Sequence, residues 1–263
     1  MSIRALIWGF VSLMLVVILT LAGGLAIVLP DLPPTSKVRD IRLKEPLRVY
    51  TTDGQLMGEF GDERRITIPI EEAPDLLIKA ILAAEDDRFF QHHGVDFSGV
   101  LRAVIANLKS LDSRQGASTI TMQVARNYFL SREKTYSRKI KEVLLAFRLE
   151  RELTKAEILE LYLNKIFLGH RAYGFQAAAS IYYNKRLSEL SLAQLAMLAG
   201  LPKAPSRSNP VSDPGRALDR RNYVLRRMHG LELIGDSQYA GARSAPVTAQ
   251  RHKAKIQVYA PYV

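Results

Sequence analysis

Apolar positions along the chain follow three successive rhythms. From Ala5 to Leu29 they are almost unbroken, and ALIWGFVSLMLVVILTLAGGLAIVL holds no ionisable side chain. A spanning helix needs about 20 such residues to cross a hydrocarbon core roughly 30 Å thick, whereas the apolar part of a cleavable leader runs to about 7–15. Ala22-Gly23-Gly24 could mimic a cleavage site, but the apolar run continues past it. The pattern therefore predicts an uncleaved signal anchor over 5–29 behind a cytoplasmic tail of residues 1–4. Only Arg4 and the amino terminus precede the span, and so short a tail favours an outward-facing globular part.

The second rhythm has a period of two. LRVYTTDGQLMGEF (47–60) alternates around Asp53-Gly54, which signals a short β hairpin, and RRITIPI (64–70) offers another strand. PDLPPTSKVRD (30–40) ahead of it reads as a proline-rich stalk. From Pro74 to about Gly230 the period becomes helical. The helix candidates are LLIKAILAAEDDRFF, FSGVLRAVIANLKSL, STITMQVARNYFL, YSRKIKEVLLAFRLERELT, KAEILELYLNKIFLG, AYGFQAAASIYYNK, LAQLAMLAGL and GRALDRRNYVLRRMHG, with Thr154 placed to cap the fifth. The expectation is one mainly α domain over 70–230 behind a stalk and hairpin at 30–69. Beyond 230 the helical signal fades, so 231–263 reads as the start of a linker or downstream domain, truncated at VYAPYV.

One position breaks the helical pattern. Ile78, Leu82, Glu85 and Phe89 follow at steps of four, three and four, so a continuous helix would align them in one stripe. An ionised carboxylate there costs on the order of several kcal/mol unless it is paired or the stripe opens into a cleft. With Asp86 and Asp87 beside it and partial burial, Glu85 is expected to have a raised pKa, which suits a general base. His92 and His93 are adjacent and no cysteine accompanies them, so a zinc site is not expected.

Two further stretches carry chemistry. In QGASTITMQVARN (115–127), Gly116 and Ala117 allow close backbone approach, and Ser118 or Thr119 can cap a helix whose first N–H groups suit an anion. Thr119, Gln123 and Asn127 then share a face flanked by Arg126, which reads either as a site for sugar hydroxyls and phosphates or as a solvated polar face. In SRKIKEVLLAFRLERE (137–152), Ile140, Val143, Leu144 and Phe147 form one apolar face. Arg138 and Glu142 pair on the other, together with Leu145 and Leu149. That pair reads either as a structural salt bridge or as a second acid in a cleft with Glu85.

Composition narrows the partners. There are 37 Lys and Arg against 26 Asp and Glu, a formal charge of +11, and no cysteine. Such an excess suits nucleic acid, phospholipid headgroups or a phosphorylated substrate, and the apolar run favours the last two. Disulfides contribute nothing to stability.

Taken in order, EDDRFFQHHGVD, QGASTITMQVARN, RKIKE, KAEILELYLNKIFLG and AYGFQAAASIYYNK…LAQLAMLAGLPKAPSRSNP resemble the five motifs of glycosyltransferase family 51. The stretch looks like the peptidoglycan glycosyltransferase domain of a class A penicillin-binding protein, and resembles the 1a type. Any one motif alone would be weak; five in order, over roughly residues 70 to 230, are specific. Ala117 and Met122 depart from the commoner glycine and glutamine, which bears on loop geometry at Ala117.

The resemblance implies a lysozyme-like α lobe with a smaller membrane-facing jaw lobe. It implies Glu85 as the general base and Glu142 as a second catalytic residue that orients Arg138, a cation or the donor phosphate. Asp86, Phe89, His92, Ser118, Thr119, Gln123, Arg126, Arg138, Lys139 and Lys203 are implied as substrate-binding positions. The substrates would be lipid II and the growing glycan strand, held at the outer face of a bacterial cytoplasmic membrane, with moenomycin as an inhibitor and cell-wall synthesis regulators as further partners. Nucleic acid is not among them. No cofactor is obligatory, with a divalent cation (Mg or Mn) an option at the pyrophosphate and Glu142 its candidate ligand.

Two rivals have distinct signatures. A lytic transglycosylase or muramidase also uses a cleft glutamate but needs no diphosphate cluster or lipid-side anchor. A membrane-tethered scaffold needs no convergence of Glu85, Glu142 and the polar stripe. Ser131-Arg132-Glu133-Lys134 fits S-x-x-K, yet neither S-x-N nor K-T-G occurs, so no transpeptidase is expected within these residues.

Overall fold

Side-chain caps set where most of the helices begin. The structure is a computed structural model that describes residues 7–9, 12, 14–16, 19, 23, 29–33, 47–53, 56–60, 64–109, 118–131 and 135–252. Its helices are α1 (Asp75–Glu85), α2 (Phe97–Lys109), α3 (Ile120–Phe129), α4 (Tyr136–Glu152), α5 (Lys155–Lys165), α6 (Phe175–Tyr183), α7 (Leu192–Gly200), α8 (Pro214–Gly230) and α9 (Asp236–Ser244). Thr119, Thr135, Thr154, Ser191 and Asp213 each accept a backbone N–H from the first turn of α3, α4, α5, α7 and α8 respectively. At Thr154, as the sequence predicts, Glu157 returns the bond and completes a capping box.

The described chain is mainly helical, in two groups that meet at the end of α1. Helix α1 packs on α7 and α8, which also pack on each other, while α3 packs on α4 and α5. Leu77, Ile81, Ile120, Leu145, Leu149, Ile158, Tyr162 and Phe175 are fully buried between them. Strands are minor. β1 (Leu47–Tyr50) runs antiparallel to β2 (Leu56–Phe60), with Leu47 opposite Phe60. The strand signal over 64–70 is realised only as β3 (Arg64–Arg65), parallel to β4 (Ala172–Tyr173).

Two sequence expectations change here. Helix α1 stops at Glu85, and Asp86 leaves helical geometry at φ −161°, ψ 79°, so Phe89 is not in one helical stripe with Ile78 and Leu82 but in a separate 3-10 turn, Phe89–Gln91. The deep face of α1 is Leu77, Ala80 and Ile81, with Ile78 and Leu82 on its flank. On α4, Leu145 and Leu149 are fully buried beside Glu142, while on the other face Val143, Leu144 and Phe147 are partly buried and Ile140 is exposed. Tertiary contact with α3 decides this, because both faces of α4 carry enough apolar residues to be buried.

The anchor predicted over 5–29 lies mainly outside the described residues, as do Gly116 and Ala117. Among the described residues no helix is long and apolar enough to cross a membrane. Just past that segment, Leu32 joins the core and Arg148 donates to the Pro33 carbonyl at 2.5 Å.

Asn164 shows how α5 organises its surroundings. Its side chain accepts from the Ile68 N–H at 2.9 Å and donates to the Ile68 carbonyl at 2.8 Å, as a neighbouring strand would. Glu160 accepts the Ile70 N–H at 2.8 Å. Replacing Asn164 by Leu strands two backbone groups at a buried site, at a cost of at least about 1–3 kcal/mol. Urea unfolding of the Asn164→Leu variant should show the midpoint fall with an unchanged slope.

Candidate active site

Three consecutive carboxylates leave the end of α1 in three directions. Asp87 accepts from Arg227 of α8 at 2.7 Å. Asp86 is buried, with the His92 ring nitrogen Nε2 at 3.0 Å and the Ile120 N–H, which opens α3, at 3.0 Å. Glu85 turns inward between the two helix groups. Its Oε2 accepts from Gln123 Nε2 of α3 at 2.9 Å, and its Oε1 faces Arg220 Nη2 of α8 at 3.5 Å.

Glu85 binds its proton more tightly than an ordinary carboxyl because burial penalises the charged form. The Gln123 hydrogen bond and the charges of Arg220, Lys203 and Arg126 oppose that rise without cancelling it. The sequence reading expected neighbouring carboxylates to contribute; each of them instead has its own partner. Tyr162 of α5 is buried beneath the same region. Its hydroxyl has no hydrogen-bond partner among the described residues, and burial together with the Glu85 charge holds its proton well above the ordinary phenol value.

The implied substrate positions divide into two groups. Asp86, His92, Phe89 and Thr119 build the wall. Thr119 donates to the Gly94 carbonyl at 2.5 Å while capping α3. Gly94 sits at φ 89°, where an added Cβ would lie 3.0 Å from the Ala146 carbonyl of α4, so the turn admits no side chain. Phe89 is buried edge-on to Phe90 and under Lys155, whose ammonium lies 4.3 Å from the ring centroid. The α3 N-terminus, expected to bind an external anion, receives Asp86 instead. Polar atoms of Asp86 and Thr119 are therefore spent inside the fold.

Gln123, Arg126, Arg138, Lys139, Ser118 and Lys203 form the second group, on or near the cleft. At its centre Glu142 is only 1% exposed. Arg138 Nη1 donates to its Oε1, Lys139 Nζ to its Oε2 at 2.9 Å, and Arg126 lies 3.9 Å away. Lys139 also donates to Ser118 at 2.8 Å. Three cations thus surround one buried carboxylate, leaving an excess of two positive charges. Both Glu142 oxygens are engaged, so Glu142 holds cations in place and is not a free acid.

A divalent cation fits poorly. Glu142 already faces cationic side chains, and among the described residues no three His, Asp or Glu converge on a common point. No step is assigned to a metal.

Sequence reasoning missed Arg220. Helix α8 carries Arg216, Arg220, Tyr223 and Arg227 at helical spacing on one face. That stripe was a usable signal, and the sequence reading took the segment only as a helix. In the structure Arg220 reaches Glu85 and Arg227 reaches Asp87.

Chemically, the arrangement offers a buried proton acceptor beside a preassembled anion site. Because the folded-state pKa of Glu85 lies above its ordinary value of 4.5, the folded protein binds more protons than the unfolded chain between those two values. Stability contributed by this group is therefore present at acid pH, is lost as pH rises through that window, and stays lost above it. Glu85→Gln should be more stable than wild type at neutral pH. That difference should shrink as pH falls below the ordinary carboxyl range, as compared by urea midpoints.

Comparisons place these residues among known proteins. A family model described as Transglycosylase matches residues 53–229. Penicillin-binding protein 1A of Pseudomonas aeruginosa is 48% identical over 99% of this chain and 32% of that protein. The Vibrio cholerae protein of the same name is 46% identical over 99% and 31%, and the Escherichia coli one is 49% identical over 89% and 28%. The chain thus spans about a third of the length of these curated relatives.

Proposed function

The chain belongs to the transglycosylase family, and from that premise we propose that it polymerises lipid II into β-1,4-linked glycan strands with release of undecaprenyl pyrophosphate. The observation that carries the proposal is the partly buried Glu85 in one cleft with the cation cluster around Glu142. Glu85 removes the proton of the acceptor's GlcNAc 4-hydroxyl. That oxygen attacks the anomeric carbon of the donor MurNAc as the bond to the pyrophosphate breaks, and the configuration inverts. Proton affinity raised by burial suits a group whose task is to take up a proton.

Arg126, Arg138 and Lys139 meet the negative charge that develops on the leaving group, with Lys203 on the other side of Glu85. Glu142 keeps like charges together before substrate arrives. Arg138 Nε is buried without a partner among the described residues, which fits a donor reserved for a phosphate oxygen. Gln123 fixes the plane of the Glu85 carboxylate. Asp86, His92 and Thr119 act by joining α1 to α3.

The substrate's polyprenyl tail stays in a bilayer, and the surface beside the cations fits that. Phe90, Phe97 and Leu101 are 62%, 70% and 62% exposed, and Ile140 is 44% exposed. These residues form the membrane-facing side of a jaw lobe, next to Arg102 and Lys139. Residues 5–29 supply the anchor, with the domain outside the cytoplasmic membrane. Moenomycin, a phosphoglycolipid, competes at the same cations, and regulators of wall synthesis are partners of the longer protein, which also carries a transpeptidase.

A muramidase reading shares the cleft glutamate but leaves the excess cations without a task. Incubation with lipid II separates the two, since only a polymerase lengthens chains. Glu85→Gln should lose at least ~10²–10⁴-fold in polymerisation rate while remaining folded; a variant that still makes glycan would remove Glu85 as the base. Replacing both Phe97 and Leu101 with Ser should weaken sedimentation with anionic vesicles while leaving thermal stability within about 0.5 kcal/mol.

A further inference from the structure

We infer that Arg220 is a positioning residue that keeps the Glu85 carboxylate ionised and aimed in the working enzyme, acting from α8 across the cleft. The inference rests on the reading of Glu85 as the base. Its geometric ground is that Arg220 is seated by the protein and not by the substrate. Arg220 Nε donates to the Gly200 carbonyl at 3.3 Å, and its guanidinium lies 4.4 Å from the Tyr223 ring centroid. Gly200 is what admits it, because an added Cβ there would stand 2.9 Å from Arg220 Cγ. From that seat Nη2 comes to 3.5 Å from Glu85 Oε1.

The other groups around Glu85 cannot do this work. From α3, Gln123 is neutral, and Arg126 lies toward Glu142 at 3.9 Å. Lys203, from the turn after α7, is exposed and free to follow a substrate phosphate. Tyr162 of α5 is a neutral phenol, Asp86 is spent on His92 and Ile120, and Asp87 is paired with Arg227. When a diphosphate occupies the cleft, Arg126 and Lys203 turn to its charge. Arg220 remains, held by Gly200 and Tyr223.

Its distance matters as much as its charge. A tight charge-assisted pair closes to about 2.7–2.9 Å and would depress the proton affinity of the base. At 3.5 Å the pair is loose, so Oε1 keeps lone-pair capacity for a sugar hydroxyl. Arg220 also offsets part of the burial penalty on the charged form, so it favours the ionised carboxylate that the base must be before it takes a proton. Once Glu85 is protonated the pair dissolves, and the cleft gains one uncompensated positive charge as the leaving group gains negative charge.

The test uses the full chain with lipid II across the acid and neutral range. In Arg220→Met the acid limb of kcat/KM should move up by about one pH unit or more, the scale on which a neighbouring arginine acts on a carboxylate. Below the new limb the rate falls about tenfold per unit of displacement, and above it the rate recovers to within a few-fold of wild type. Arg220→Lys should restore most of the limb position. Gly200→Ala, which crowds the arginine stem without altering charge, should move the limb in the same direction as Arg220→Met.

Carbon-13 NMR of the Glu85 carboxyl, assigned by its absence in Glu85→Gln, should show the same displacement without substrate. An unmoved limb and an unmoved titration in folded Arg220→Met, or a loss equal at every pH, would overturn the inference. If Glu85→Gln itself polymerises, the base assignment fails instead, while the NMR titration still decides whether Arg220 governs Glu85.

Discussion

Asp86 joins the two helix groups through a single side chain. It accepts the first N–H of α3, faces the His92 ring, and leaves helical geometry one residue after Glu85. A carboxylate at a helix N-terminus is favoured by the dipole and satisfies a donor that would otherwise be orphaned. Because Asp86 is the residue after Glu85, that bond sets the distance between Glu85 and everything on α3. Gln123 stands one turn further along α3 and meets Glu85 at 2.9 Å for that reason. Thr119 adds a second tie by donating to the carbonyl of Gly94, whose Cα lies close against Ala146 of α4. The wall of the cleft is therefore a closed loop of contacts through α1, α3 and α4.

Two cleft glutamates in this frame, Glu142 buried and Glu85 partly exposed, behave differently because their surroundings differ. Glu142 is ringed by Arg126, Arg138 and Lys139, so its charge is compensated and its oxygens are occupied. Glu85 receives one neutral hydrogen bond and one loose cation, so burial dominates and its proton affinity rises. The differing partners separate a proton-transfer group from one that holds cations in place. Glu142 compensates repulsion among cations, which is why it tolerates burial on α4 beside Leu145 and Leu149. Glu85 has no such compensation. It carries a net desolvation penalty in the folded state, which is the physical form of a stability cost at a functional site.

The sequence made the helical periods legible, as it did the Thr154 cap and the mainly α class, because each depends on residues within about one turn of each other. It also singled out Glu85, because a carboxylate in an apolar stripe is a local anomaly. The stripe itself was extended too far. Nothing between Glu85 and Phe89 forbids helix by propensity, and the stop comes from Asp86 bonding to Ile120, 34 residues away. Arg220 was invisible for a related reason. Its partners Gly200, Tyr223 and Glu85 are assembled from three helices, and Gly200 alone gives no hint that its missing Cβ makes room for an arginine stem.

The excess of positive charge bears on which chemistry the cleft suits. Holding three cations around one carboxylate in a partly buried site requires desolvating more charge than is neutralised, and such an arrangement is costly unless something else completes it. A glycan hydrolase acting on uncharged sugar units would gain nothing from an excess of two positive charges beside its acid. A transferase whose leaving group is a diphosphate gains in the transition state, where negative charge grows on the departing oxygen and the cations are already in place. The same reasoning explains why Arg220 sits apart from the cluster. A cation shared between the base and the leaving group would be drawn toward the phosphate as the bond breaks, just when the base must keep its position. Placing Arg220 on α8, with its own carbonyl and aromatic seat, separates the charge that orients the proton acceptor from the charges that receive the leaving group.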